Sequence, residues 1–191
     1  MWSRSWKKSA SRVFTCKCHH RRMKTCSWLM ATRINRFDMM PDTTLPLRGQ
    51  FWTLPLSDLN VREWEALCDN CGRCCLVKLE DEDSGELAFT NLACRFLDSK
   101  QCQCRVYEER FKRVPDCIRV TESIARDTNW LPPTCAYRLR AKGKPLPAWH
   151  PLLSNNADSV RQAGISVAGR VVSEQLVRED DWEEHIVHWI D

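Results

Sequence analysis

Cys68-Asp69-Asn70-Cys71-Gly72-Arg73-Cys74-Cys75 is the stretch on which the reading of this chain turns. Its first three thiols stand at i, i+3 and i+6, a spacing that lets one tight loop turn its sulfurs inward around a single centre, with Gly72 permitting the bend. Working outward, Cys94, Cys102, Cys104, Cys117 and Cys135 follow, so nine cysteines fall within 68 residues and none falls in the next 56. That concentration is the main functional signal in the sequence.

Two metals compete for it. The i, i+3, i+6 spacing begins the ferredoxin-type run, where three local cysteines hold three corners of an iron-sulfur cubane and a distant one supplies the fourth. The usual Cys-Pro fourth ligand is missing, so one of the later five cysteines has to reach back and thereby fix the chain around the centre. Zinc sites with four cysteines also begin with C-x2-C and stabilise small folds outright. A paired zinc ribbon has two separated C-x2-C knuckles, whereas the second half here offers Cys102-Gln103-Cys104 and single cysteines, which favours iron-sulfur. Nine is an odd count: eight thiolates fill two four-ligand centres and leave one free, and one centre plus several buried, apolar-like cysteines fits as well. All nine stand as candidate ligands. A disulfide framework is disfavoured, because the chain exceeds the small secreted domains that depend on one and shows no export signal. A redox pair at Cys71 and Cys74 lacks the preceding βαβ context it requires.

The flanking sequence predicts short elements. Asn60 and Glu63 form a reciprocal capping pair, followed by Val61, Trp64 and Leu67 at helical spacing, so a short helix leads into Cys68. Residues 76–79 and 86–90 flank an acidic turn ending in Asp83-Ser84-Gly85 and read as a hairpin. Residues 107–112 and 121–126 read as short helices, and residues 133–141 as a helix with Cys135 in its first turn and Gly143 as its stop. The β-branched residues 165–172 suggest a strand, and residues 180–189 a closing amphipathic helix. The class expected is α+β: a small, irregular, metal-centred domain with short helices, a hairpin and many loops.

Composition divides the chain. Of 191 residues, 43% are hydrophobic and 28% charged, enough for one globular domain with its own core. No stretch approaches the roughly 18 apolar residues of a spanning helix, which argues against a membrane protein. The net charge of +4 conceals ten Lys or Arg and no acid in residues 1–37, leaving −6 for the remainder. The folded part therefore lacks the basic footprint that nucleic acid requires. Residues 1–38 are expected to be a basic extension, disordered or upstream of the true start, with Met23, Met30, Met39 and Met40 as internal starts. Residues 39–191 are expected to form one cysteine-cluster domain, with a metal-binding part at 64–141 and a C-terminal part at 142–191. The extension lacks the apolar core of a secretory signal, so a reducing cytoplasm is expected. Its Cys16, Cys18, His19, His20 and Cys26 form a weak metal tract by composition alone.

Other chemistry is sparse. Basic and acidic side chains balance at twelve each from Cys68 to Arg140, and Arg73, Arg95, Arg105 and Arg138, close to cysteines, are candidates to offset thiolate charge. His150 reads as a hydrogen-bonded structural histidine, and His185 and His188 as face residues. Trp52, Trp64, Trp130, Trp149, Trp182 and Trp189 are expected to fill the core and cover the metal site. No phosphate loop, dinucleotide fingerprint or nucleophile elbow is present.

Several motifs in order carry a resemblance: Cys68-x2-Cys71-x2-Cys74-Cys75, residues 89–95, Cys102-Gln103-Cys104-Arg105-x-Tyr107, Pro115-Asp116-Cys117-Ile118, residues 131–138 and Pro147-Ala148-Trp149-His150-Pro151-Leu152. From about Phe51 to the C-terminus the chain resembles the bacterial YcgN/YkgJ-type CxxCxxCC cysteine-cluster family, regarded as zinc- or iron-chelating proteins. The resemblance implies metal binding in the cytoplasm and supplies no reaction. The leading expectation is an iron-sulfur protein for electron transfer or the redox chemistry of a protein partner. The alternatives are a structural four-cysteine zinc module acting in protein or RNA interaction, and an iron-sulfur enzyme of group transfer; whether the protein is an enzyme stays open.

Overall fold

Asn60 begins the first helix, α1 (Val61–Ala66), in the way its spacing to Glu63 predicts. The Asn60 side chain accepts from the Glu63 amide at 2.9 Å, and Glu63 returns a carboxylate oxygen to the Asn60 amide at 3.1 Å. These bonds satisfy donors that a helix start leaves open. The Arg48 guanidinium clamps the same carboxylate, which is fully buried. The structure is a computed structural model that describes residues 46–190 and the backbone of a strand, β1 (Trp6–Lys8). The candidate tract of Cys16, Cys18, His19, His20 and Cys26, the four internal methionines and most of the expected basic extension lie outside the described residues.

The fold is a small α+β arrangement. Strands β2 (Leu76–Asp81) and β3 (Leu87–Ala93) form the antiparallel hairpin read from the sequence. Buried Asp81 closes its turn, accepting from the Asp83 and Ser84 amides at 3.1 and 2.8 Å. β1 pairs antiparallel with β2, Trp6 opposite Asp81. The two-residue β4 (Val172–Ser173) lies parallel to the other side of β3. A shift in register between Leu76 and Lys78 bends β2 at the end that meets the cysteines.

Four short helices follow the sheet's hairpin before the C-terminal segment closes: α2 (Arg110–Arg113), α3 (Glu122–Asp127), α4 (Ala136–Ala141) and α5 (Pro151–Ser154). A fifth, α6 (Ser159–Gln162), comes within that segment. Thr121 caps α3 through the Ile124 amide, and Gly143 stops α4 at φ +67°. Two expectations change. Residues 165–172 form a looped segment, with strand only from Val172, because Gly164 and Gly169 at positive φ turn the chain on either side of Val167. The closing element is a 3-10 helix over Glu179–His185, after which the chain runs extended so that the Val187 amide can bond Phe89 O at 2.8 Å.

Two main apolar clusters organise the molecule. One gathers Phe51, Leu56, Leu67, Ala125, Leu131, Ala136, Tyr137 and Leu146 from the helical side. The other gathers Leu76, Phe89, Ala93, Leu97, Cys102, Val167 and Ile190 from the sheet and the C-terminal segment. Burying a leucine fully is worth roughly 2 kcal/mol, so each cluster is a substantial core. Val77, Leu79, Leu92 and Trp182 seal the opposite face of the sheet. Among the described residues no helix is long and apolar enough to cross a membrane.

Candidate metal centre

The loop between α1 and β2 carries the first four thiols. Its path needs two left-handed residues, Asn70 at φ +55° and Gly72 at φ +78°. Asp69 Oδ1 accepts from the Cys71 amide at 3.1 Å, and the Cys75 amide donates to Gly72 O at 3.1 Å. From behind, the Val167 amide binds Cys71 O at 2.9 Å. A Cβ on Gly72 would stand 2.6 Å from Val167 Cγ2 and 3.2 Å from Cys102 Cβ, so glycine is required there for space as well as for φ.

Each later cysteine is delivered by a different device. The Cys94 amide bonds Cys75 O at 2.9 Å, which continues the hairpin and sets Cys94 across from Cys75. Cys104 returns through a bridge to Leu97, in a turn held by Asp98, whose carboxylate takes the Lys100 and Gln101 amides. Cys117 lies in the turn beyond α2, and Cys135 is the N-cap residue of α4. Together Cys68, Cys71, Cys74, Cys75, Cys94, Cys104, Cys117 and Cys135 line one cavity of about 610 Å³, open on one side. Cys102 does not. Two residues before Cys104 and at φ +55°, it is buried in the sheet-side core with its sulfur 3.4 Å from Ser166 Oγ.

Within the cavity Cys74 acts on the charge of Cys68, Cys71, Cys75, Cys117 and Cys135, while Cys94 and Cys104 act on Cys117. The Cys74 and Cys75 sulfurs stand 4.0 Å apart. Burial pushes the Cys68 and Cys71 thiols well above the ordinary range and Cys135 up to about 12. Cys74, the thiol most open to the cavity, moves the other way: it is lowered by a hydrogen bond from the Cys75 thiol and by the nearby Lys78 ammonium. No disulfide joins the nine cysteines among the described residues.

Of the four arginine candidates for offsetting thiolate charge, Arg95 lines the cavity and acts favourably on Cys94, whereas the other three are engaged elsewhere. Arg73 donates to Ile165 O at 2.7 Å, Arg95 meets Glu174 at 3.6 Å, Arg105 meets Asp98 at 3.7 Å, and Arg138 donates to Leu131 O. The buried cation on the cavity wall is Lys78, whose ammonium donates to Cys74 O at 3.0 Å and Leu76 O at 2.9 Å. Burial lowers its pKa. The sequence carried a signal for it: a lysine inside the apolar run Leu76-Val77-Lys78-Leu79, three residues after Cys75. His150 commits both ring nitrogens to the backbone, Nε2 with Leu67 O at 3.2 Å and Nδ1 accepting from the Leu152 amide. His185 pairs with Asn91 at 2.8 Å. Trp64 and Trp130 wall the cavity, and Trp182 fills the core.

The donor set suits a thiophilic metal, and the arrangement is open. Among the described residues no three Cys, His, Asp or Glu side chains converge on a point that holds an ion. One buried polar atom beside the thiols, Asp69 Oδ2, has no hydrogen-bond partner.

Comparison with known proteins agrees with this chemistry. Residues 67–136 match the family described as "CxxCxxCC: Putative zinc- or iron-chelating domain". The chain is 56% identical over 141 residues to a UPF0260 protein of Marinobacter nauticus, covering 73% of this chain and 95% of that one. It is 55% identical over 142 residues to a UPF0260 protein of Rhodobacter capsulatus, with 74% and 95% covered. With a UPF0260 protein of Azotobacter vinelandii it shares 53% over 138 residues, with 72% and 93% covered. No solved structure matches.

Proposed function

The chain belongs to the UPF0260 family, whose cysteine-rich segment is a metal-chelating CxxCxxCC domain, and from that premise we propose that it holds iron as an iron-sulfur cluster and exchanges electrons with a protein partner. The observation that carries this reading is the lining of a single cavity of about 610 Å³ by eight of the nine described cysteines. Four sulfurs bound to one zinc at 2.3 Å stand about 3.8 Å apart. Eight thiols lining one cavity are more than a single zinc takes, and a core of several iron and sulfide atoms would use them.

Cys68, Cys71 and Cys74, from one loop, would hold the metal, with Cys75, Cys94, Cys104, Cys117 and Cys135 as the further thiols of the same cavity. When bound, an iron-sulfur cluster supplies a one-electron store. The Lys78 side chain, beside Cys74 and Cys75, would as an ammonium favour the more reduced, more negative state. The cavity walls from Trp64, Trp130 and Leu131 restrict water around the sulfurs. A reducing cytoplasm keeps such thiols available for metal.

The test is to purify the full chain without oxygen and measure iron, zinc, acid-labile sulfide and the visible spectrum. Iron and sulfide in equal amounts with thiolate-to-iron absorption are expected. Stoichiometric zinc in a colourless protein, with no iron recovered, overturns the reading and makes the cysteines scaffolding for an interaction module.

A further inference from the structure

Asp69 stands between the first two thiols of the loop and lines the cavity. It is 7% exposed. Its Oδ1 has a defined task, accepting from the Cys71 amide at 3.1 Å. Its Oδ2 is buried and has no hydrogen-bond partner, and no cation pairs with the carboxylate among the described residues. The other buried orphan there, Arg140 Nε, belongs to a guanidinium whose remaining nitrogens donate to Lys144 O and Thr53 O, and it does not line the cavity.

A buried carboxylate oxygen without a donor is costly, and such groups are ordinarily satisfied by a partner or an ion. The surroundings aggravate the cost, because the charge of Asp69 acts unfavourably on Cys68, Cys71, Cys74 and Cys135. Lys78 does not relieve it, since its ammonium is directed to Cys74 O and Leu76 O. Negative charge gathered in this way from sulfur and oxygen is balanced when a metal cation sits among them. A residue that only shaped the turn would need Oδ1 alone, and asparagine would serve.

We propose that Asp69 is an oxygen donor to the metal centre held by Cys68, Cys71 and Cys74, with Oδ2 taking the fourth coordination position while Oδ1 retains the Cys71 amide. The inference rests on the metal-binding reading above. A carboxylate among thiolates makes the site harder, favouring divalent iron or cobalt over the softest ions that an all-sulfur site prefers.

The experiment strips the full chain of metal without oxygen and titrates it with cobalt(II) alone, comparing the natural protein with Asp69→Asn, Asp69→Ala and Asp69→Cys. Asp69→Asn keeps the Oδ1 acceptor and should fold like the natural protein by near-ultraviolet circular dichroism. Its cobalt affinity is expected to fall at least about tenfold, with the d–d bands displaced. Asp69→Cys should recover affinity and gain thiolate-to-cobalt intensity. Superimposable affinity and d–d bands for Asp69→Asn overturn the inference and leave Asp69 as a turn residue, whatever happens to Asp69→Ala. A natural protein that shows no thiolate-to-cobalt bands overturns the metal reading itself, and the inference with it.

Discussion

The helical side of the cavity and the sheet side hold their cysteines by different devices. On the helical side the thiols sit at helix ends: Cys68 follows α1, Cys135 caps α4, and both pack against the core of Phe51, Leu67, Leu131 and Tyr137. The two helices are tied by the Tyr137 hydroxyl, which donates to Trp64 O at 2.8 Å, and by the Trp64 and Tyr137 rings at 4.8 Å. On the sheet side the thiols sit at strand ends: Cys75 before β2 and Cys94 after β3, with Cys75 packed against the core that contains Leu76, Phe89 and Val167. The difference teaches that the centre lies on a seam. Neither core contains it, and the loop from Cys68 to Cys75 carries thiols from one side directly to the other.

If the seam is held by metal, removing metal gives the largest effect. Chelation under reducing conditions should separate the two sides and lower the unfolding midpoint steeply, since a structural zinc is worth about 10–16 kcal/mol in finger peptides. Differential scanning calorimetry of metal-loaded and stripped protein checks this, and coincident midpoints would show that the two cores dock without metal. Binding must displace protons from thiols that burial has raised, Cys135 to about 12. Metal affinity should therefore rise with pH between about 6 and 9 and release protons, measured by calorimetry in buffers of different ionisation enthalpy.

Next comes the point where the loop backs onto the sheet-side core. Gly72→Ala puts a methyl 2.6 Å from Val167 Cγ2 at φ +78°, so left-handed strain and overpacking should together cost roughly 2–5 kcal/mol. Urea unfolding measures it, and metal content should fall in parallel because the same loop carries four thiols.

A finer cut separates two cysteines of one turn. Cys104→Ser should lose metal, with a change of about 1 kcal/mol in the stripped protein. Cys102→Ala should keep full metal content and lose about 1 kcal/mol of packing against Gly72 and Ser166. Equal metal loss in both would move Cys102 into the donor set and redraw the seam.

The smallest effect lies on the helical side alone. Arg48 holds the Glu63 carboxyl at about 2, and a carboxyl lowered in the folded state stabilises above its ordinary value near 4.5 and loses that contribution as pH falls toward 2. Arg48→Met should flatten the acid dependence of stability between those limits while leaving metal content unchanged. An unaltered acid limb in denaturation at pH 2–5 would show that the Asn60 amide suffices for Glu63.

The legible parts of the molecule were those fixed by short-range rules. The Asn60 and Glu63 capping box, the hairpin around Ser84-Gly85, the helix after Pro133 and the inward loop at Gly72 each depend on residues a few positions apart. Residues 165–172 misled because β-branched side chains also suit a packed loop, and here Val167 is fully buried by backing onto Cys71 and Gly72 rather than by pairing in the sheet. For the arginine candidates proximity in sequence did not set direction: Arg95 acts on Cys94, while Arg73 reaches residues more than ninety positions away.

The amino-acid sequence by itself determined that a cluster of cysteines dominates this protein, that its elements are short, and that metal is their chemistry, because thiol density and local spacing survive without knowledge of the fold. Only the tertiary structure decided that eight thiols share one cavity while Cys102 turns into a core, and that Lys78 and Asp69 stand among the sulfurs. Those facts depend on which face of a turn or strand meets which core, and that is settled by long-range packing.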